Sequence, residues 1–289
     1  MTLPHLALAL IANLAWGGNF IAGKIGTEYF QPLFFTGLRF LFLLILLFPW
    51  LRPAEDKMRP LLQVAVLLGV VHFAMIFVGL SVCANIASIA VVAQLYVPFS
   101  AIFAAIHLGE RLKLPQINAI LTAFGGVLLI GFDPAVFQQI QALFWTIGGA
   151  LCMAIATILM RQCPNIGVLK LQAWIAAVAT PSHFLLSFLF ESGQLELLRN
   201  TDILDFWSPL YSAIGASIIG HGFVYYLLGR YPVATVTPLL LLSPVLASVF
   251  GVLFFGDILS WKLVVGGCLT LVSILFILIA PKTKSKDAI

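Results

Sequence analysis

The feature that most constrains this chain is a succession of continuous apolar runs, each about twenty residues long, separated by short connectors. The hydrocarbon core of a bilayer is about 30 Å thick, so a helix needs about 20 apolar residues to cross it. The sequence has ten such runs, at roughly 4–24, 32–50, 61–81, 87–107, 116–132, 141–160, 170–190, 208–228, 233–255 and 261–280. They lack the alternation of a barrel strand. In hydrocarbon every backbone amide must be satisfied within its own segment, which a helix achieves. The expected fold is an all-α polytopic membrane protein of ten transmembrane helices. Composition agrees: 62% of the 289 residues are apolar and 9% charged, against about 25% charged in soluble domains. A soluble globule would expose the apolar surplus to water at about 25 cal/mol per Å². A disordered chain and a disulfide scaffold are excluded as well. Cys83, Cys152, Cys163 and Cys268 form no CxxC pair and read as small hydrophobes.

The connectors carry turn chemistry, as in Arg52-Pro53, Phe132-Asp133-Pro134, Cys163-Pro164-Asn165 and Tyr231-Pro232. They leave no room for a soluble domain. The chain runs from Pro4 straight into apolar sequence without a basic leader, which reads as a retained first span. With the N-terminus in the cytoplasm, only Lys24, Arg199 and Lys262 fall outside, Arg39 lies within a span, and the remaining Lys and Arg fall inside. This bias predicts both termini cytoplasmic, with a basic tail over 281–289. The net charge of +4 is thus a topology signal, and no nucleic-acid partner is expected.

The two halves resemble each other. Val97-Pro98-Phe99-Ser100, then Leu108-Gly109-Glu110-Arg111-Leu112, then a helix with Gly125-Gly126 is matched in the second half. There Ser243-Pro244-Val245-Leu246 leads to Phe255-Gly256-Asp257-Ile258-Leu259 and a helix with Gly266-Gly267, with a one-residue slip. Each half, 4–132 and 141–280, holds five predicted spans. Five is odd, so the second half enters the membrane inverted, giving a 5+5 inverted repeat. Such a repeat supplies two conformations of similar energy, the basis of alternating access.

Trp16-Gly17-Gly18-Asn19-Phe20, Leu38-Arg39-Phe40, Pro98 with Leu108-Gly109-Glu110-Arg111-Leu112, and Leu227-Leu228-Gly229-Arg230-Tyr231 through Pro244 resemble the EamA-type branch of the drug/metabolite transporter superfamily. Within it, Gln94, Gly220, Gly222 and the Leu-Leu-Gly-Arg-Tyr run are most similar to bacterial exporters of cysteine, O-acetylserine and related amino-acid metabolites. The resemblance spans residues 5 to 281. It implies efflux across a bacterial inner membrane and a central cavity lined mostly by spans 1, 3, 4, 6, 8 and 9. Asp257 departs from the pattern, where Glu is more usual, and so does His221, where similar exporters often place Tyr.

Polar side chains inside a span are costly and usually face a cavity or a partner helix. Candidate substrate-binding residues are Trp16 and Asn19 in span 1, His72 in span 3, Gln94 and Tyr96 in span 4, and Ser217, His221 and Tyr225 in span 8. The last three recur at i, i+4 and i+8, one face of an α-helix. Interhelical hydrogen bonding would account for the same residues, and for His72 a packing role serves equally well. Arg39, the only charge deep in a span, is either a counter-charge for a substrate carboxylate or a structural arginine. Lys24 is expected to snorkel to the outer interface. Pro98 and Pro244, at corresponding places, are candidate hinges or static kinks. Glu110 and Asp257 lie on opposite membrane faces and are expected to brace helix ends.

No predicted span contains Asp or Glu, so if protons drive export, His72 and His221 are the titrating groups. No Walker loop, cofactor motif or metal set is present in the sequence. The expected function is a secondary transporter exporting small amino-acid-like metabolites, and not an enzyme; the alternative is a broad exporter of toxic or lipophilic compounds. A channel and a membrane-embedded enzyme are the other classes. The latter would need a clustered catalytic set that His5, His72, His107, His183 and His221 do not supply.

Overall fold

A computed structural model describes residues 1–54, 57–108, 112–137, 140–160, 166–228, 230–231 and 236–279. The tail 281–289, Glu110, Cys163 and the start of the ninth predicted span lie outside these, as does the side chain of Tyr225. The described residues form helices without strands. Seven helical rods are long and apolar enough to cross a membrane: Leu3–Tyr29, Pro32–Trp50, Met58–Ser81, Ile86–His107, Leu114–Gly131, Ile140–Met160 and Val168–Phe190. The C-terminal part is helical too, in shorter pieces. Phe188, Phe190, Ile45, Leu121 and Leu128 are exposed on the outer surface, which suits lipid and not water.

We label the α-helices α1 (Leu3–Tyr29), α2 (Pro32–Leu47), α3 (Met58–Val64), α4 (Phe73–Ser81), α5 (Ile86–Ala93), α6 (Tyr96–Leu108), α7 (Leu114–Gly131) and α8 (Pro134–Phe137). The rest are α9 (Ile140–Met160), α10 (Val168–Phe190), α11 (Gln194–Asn200), α12 (Trp207–Tyr211), α13 (Gly222–Leu228), α14 (Leu242–Phe255) and α15 (Trp261–Ile279). Several rods are composite. A π-helical segment, Ala65–His72, joins α3 to α4, and a second, Ser212–His221, joins α12 to α13. A break at Gln94-Leu95 separates α5 from α6, and a 3₁₀ turn, Thr237–Leu241, precedes α14.

Proline explains part of this. Pro98 and Pro244 are each the third residue of a helix, α6 and α14. In a first turn the missing N–H has no intrahelical partner to lose. Each proline therefore directly follows an irregularity in its rod.

Helices α7 and α15 cross at a pair of glycines. A Cβ on Gly126 would lie 2.6 Å from the Gly266 carbonyl oxygen, and one on Gly266 would lie 2.5 Å from that of Gly126. The obstacle is backbone on both sides. Thr270 Oγ1 donates to Ala123 O (3.3 Å) and to Gly266 O (2.8 Å) beside the crossing.

One end of the bundle is tied by polar contacts between the halves. Glu191, at the end of α10, accepts from the backbone N–H of Leu33 (2.8 Å) and Phe34 (3.0 Å), capping α2. Asp257 accepts from Ile86 N–H (2.8 Å) at the start of α5, while Asn85 Nδ2 donates to Ile258 O (3.2 Å). Burial raises the Asp257 carboxyl above its ordinary value, and the Ile86 and Ala87 N–H groups and Lys24 oppose that shift. Ser260 donates a short bond to Asp133, and Lys262 donates to Phe132 O (2.8 Å). Lys24 donates to the carbonyls of Leu80, Ser81 and Cys83 at 3.0–3.4 Å, at the end of α4. The charge answers the negative helix end.

Two outcomes follow for stability. Gly126→Val should lower stability by about 1–3 kcal/mol, because carbonyl oxygens cannot rotate out of the way; a thermal melt of the purified protein reads this. Glu191→Ala should cost about 1–2 kcal/mol by uncapping α2, and Glu191→Gln, which keeps one acceptor, should cost less in the same melt.

Candidate functional site

The two π segments leave backbone carbonyls in need of partners, and side chains from neighbouring helices supply them. In the second segment, Ala216 O accepts from Trp16 Nε1 of α1 (3.1 Å) and from His221 Nδ1 (2.9 Å). Ser217 O accepts from Gln172 Nε2 of α10 (3.1 Å), and Ser212 O accepts from Ser217 Oγ (3.3 Å). In the first segment, Gly69 O accepts from His183 Nε2 of α10 (2.9 Å). His72, its last residue, donates through Nδ1 to Gly149 O of α9 (2.8 Å). A carbonyl only accepts, so these contacts fix which ring nitrogen carries the proton: Nδ1 in His72 and His221, Nε2 in His183.

Gly220 makes the Trp16 contact possible. A Cβ there would sit 2.5 Å from Trp16 Nε1. The Trp16 ring then meets His221 edge-on, with centroids 5.1 Å apart. Gly18 admits the Tyr211 hydroxyl, which donates to Ala15 O (3.2 Å).

Arg39 of α2 stands between the two π segments, 1% exposed. Its Nη2 donates to Ser217 Oγ (3.2 Å). Its guanidinium carbon lies 4.2 Å from the centroid of the Phe73 ring, 5.3 Å from Phe40 and 5.4 Å from Phe77. His72, His183 and His221 all lie within electrostatic reach of this charge.

The expected site residues thus separate into groups. Trp16, Ser217 and His221 form one bonded set with Arg39, and His72 borders it. Asn19 is half-buried, and its Oδ1 has no partner among the described residues. Gln94 and Tyr96 flank the break between α5 and α6, where Gln94 O accepts from Val97 N–H (3.0 Å). Pro98 and Pro244 open the helices that follow matched irregularities.

The expected stripe Ser217/His221/Tyr225 begins inside a π segment, Ser212–His221, wound with i→i−5 bonds that widen the turn. Ser217 engages α2 and α10 through Arg39 and Gln172, whereas His221 packs against α1. Tyr225 lies in α13, and its side chain is outside the described part.

Sequence reasoning passed over Gln172 and His183. Their signal was present: Gln172, Thr180, His183 and Ser187 recur at helical spacing in an apolar run, and all four are buried. Among the described residues, no three of His, Cys, Asp and Glu gather as a metal site would need. Cys83 is buried, and burial pushes its thiol up to about 11, as befits an inert packing residue.

Comparison with known proteins agrees with this architecture. The model of the EamA-like transporter family matches twice, over residues 3–132 and 140–279. A protein of Salmonella typhimurium named "Probable amino-acid metabolite efflux pump" is 29% identical over 272 residues, covering 91% of this chain and 90% of that protein. One of the same name from Escherichia coli K12 is 28% identical over 263 residues, covering 88% and 87%. A solved structure titled "Crystal structure of protein" shares the fold with a TM-score of 0.64 at 19% identity, covering 96% of this chain and 97% of its own. With both halves matched, the chain belongs to the EamA-like transporter family and is a membrane transporter, not an enzyme.

Proposed function

We propose that this protein is a secondary transporter that exports small amino-acid-like metabolites across the bacterial inner membrane by alternating access. The relatives named as efflux pumps support the direction and the substrate class. The observation that carries the mechanism is the pairing of irregularities between halves. A π segment ends in His72 in the first half and in His221 in the second, and a broken or 3₁₀ stretch precedes Pro98 in one and Pro244 in the other. Interrupted helices at matched sites in two halves are the mark of a transporter binding region. On this reading the halves are 4–132 and 141–280, five spans each and inverted, with both termini and the 281–289 tail in the cytoplasm.

Trp16, Asn19, His72, Gln94, Tyr96, Ser217, His221 and Tyr225 line or support the substrate path, and Pro98 and Pro244 act as hinge elements. The predicted spans hold no carboxylate, so coupling to protons would run through His72 and His221. The small-molecule substrate and the bilayer are the partners this reading requires.

Uptake into inside-out proteoliposomes tests it, with a panel of amino acids and derivatives and with or without a pH gradient. At least one amino-acid metabolite should be taken up, and His221→Ala and Gln94→Ala should each slow its entry by roughly tenfold, about 1.4 kcal/mol. Transport of none of the panel overturns the substrate class, and competition by unrelated lipophilic compounds would favour a broad exporter. Independently, cysteines placed at residues 135 and 258 in a cysteine-free background should both react with an impermeant maleimide from the periplasmic side. Labelling from opposite sides would overturn the inverted arrangement.

A further inference from the structure

We infer that Arg39 is the carboxylate-recognition point of the transported substrate, masked in the conformation described here. The inference deepens the export reading by assigning one end of the substrate to one side chain.

The argument begins with an imbalance. A buried charge is costly unless it is paired and its donors are satisfied, and the effective penalty is several kcal/mol per ion. Among the described residues Arg39 has one hydrogen bond, to the neutral hydroxyl of Ser217. Two of its three nitrogens, Nε and Nη1, have no partner among the described residues, although both are sealed from solvent. The rings of Phe73, Phe40 and Phe77 contribute attraction but accept no N–H in the plane of the guanidinium. The titratable groups facing Arg39 from the neighbouring elements are His72, His183 and His221, none of which supplies negative charge. An anion is the missing component, and a planar two-oxygen carboxylate matches the guanidinium fork.

A second observation concerns access. Arg39 is flanked by both π segments: Ser217 belongs to one, and Phe73 directly follows the other. π-Helical winding inside an α-helix is rare and is found frequently at functional sites, and a wide turn can shift its surplus residue along the helix. Such a shift in either segment would carry Phe73 or Ser217 off the guanidinium. A purely structural arginine has no need of two adjustable neighbours.

The test uses the full chain purified in detergent. Melting temperature and intrinsic tryptophan fluorescence are followed during titration with propionate and L-norvaline, and with propionamide and L-norvalinamide at matched ionic strength. The carboxylates should stabilise the wild-type protein, and the amides, of the same shape without the charge, should not. Arg39→Lys should weaken the carboxylate effect roughly tenfold, because an ammonium does not offer the fork, and Arg39→Gln should abolish it. Equal responses to carboxylate and amide in the wild type overturn the inference, even where a variant fails to fold. A carboxylate response retained in Arg39→Gln overturns it as well. Amino-acid export without carboxylate discrimination would defeat this assignment and leave the export reading standing. Carboxylate discrimination without export of any amino acid would do the reverse.

Discussion

The interior of this bundle is governed by one rule of the bilayer: no water is available to take up a freed backbone group. Every departure from α-helical bonding must therefore be repaired from within the protein. The π segments show how. Trp16, Gln172, His183 and Ser217 donate to carbonyls of Ala216, Ser217, Gly69 and Ser212, all within those segments. The polar side chains of the spans are largely committed to the backbone. They make irregular helices tolerable, and the irregular helices in turn flank the buried guanidinium of Arg39.

This division of labour explains what could be read in advance and what could not. The helical runs were legible because a span must be apolar for about 20 residues, and a length constraint survives any packing. Family membership was legible from residues spread over both halves, such as Trp16-Gly17-Gly18-Asn19 and the run up to Pro244. The matched prolines were visible as a pair. Their place in first turns was not, because a proline in an apolar run reads equally well as a kink or as a helix start.

The winding of the eighth predicted span was not legible, for a specific reason. Spacing arguments take the turn of an α-helix for granted, and nothing in Ser-Ala-Ile-Gly-Ala-Ser-Ile-Ile-Gly-His announces a wider one. The bonds that stabilise that turn come from α1, α2 and α10, far away in sequence. Lys24 likewise bonds far away in sequence, to the carbonyls of Leu80, Ser81 and Cys83. Long-range contacts of this kind are invisible to a local pattern. Gln172 and His183 did carry a periodic signal, but only once α10 was treated as a participant and not as scaffolding.

The crossing of α7 and α15 has a mechanical consequence. At Gly126 and Gly266 the two main chains approach closely, and Thr270 bonds across them to Ala123. The joint works as a clamp: neither helix can roll on the other without breaking that bond or driving carbonyl oxygens into the facing backbone. In a rearrangement of the bundle α7 and α15 would therefore travel as one piece, although they come from opposite halves of the sequence.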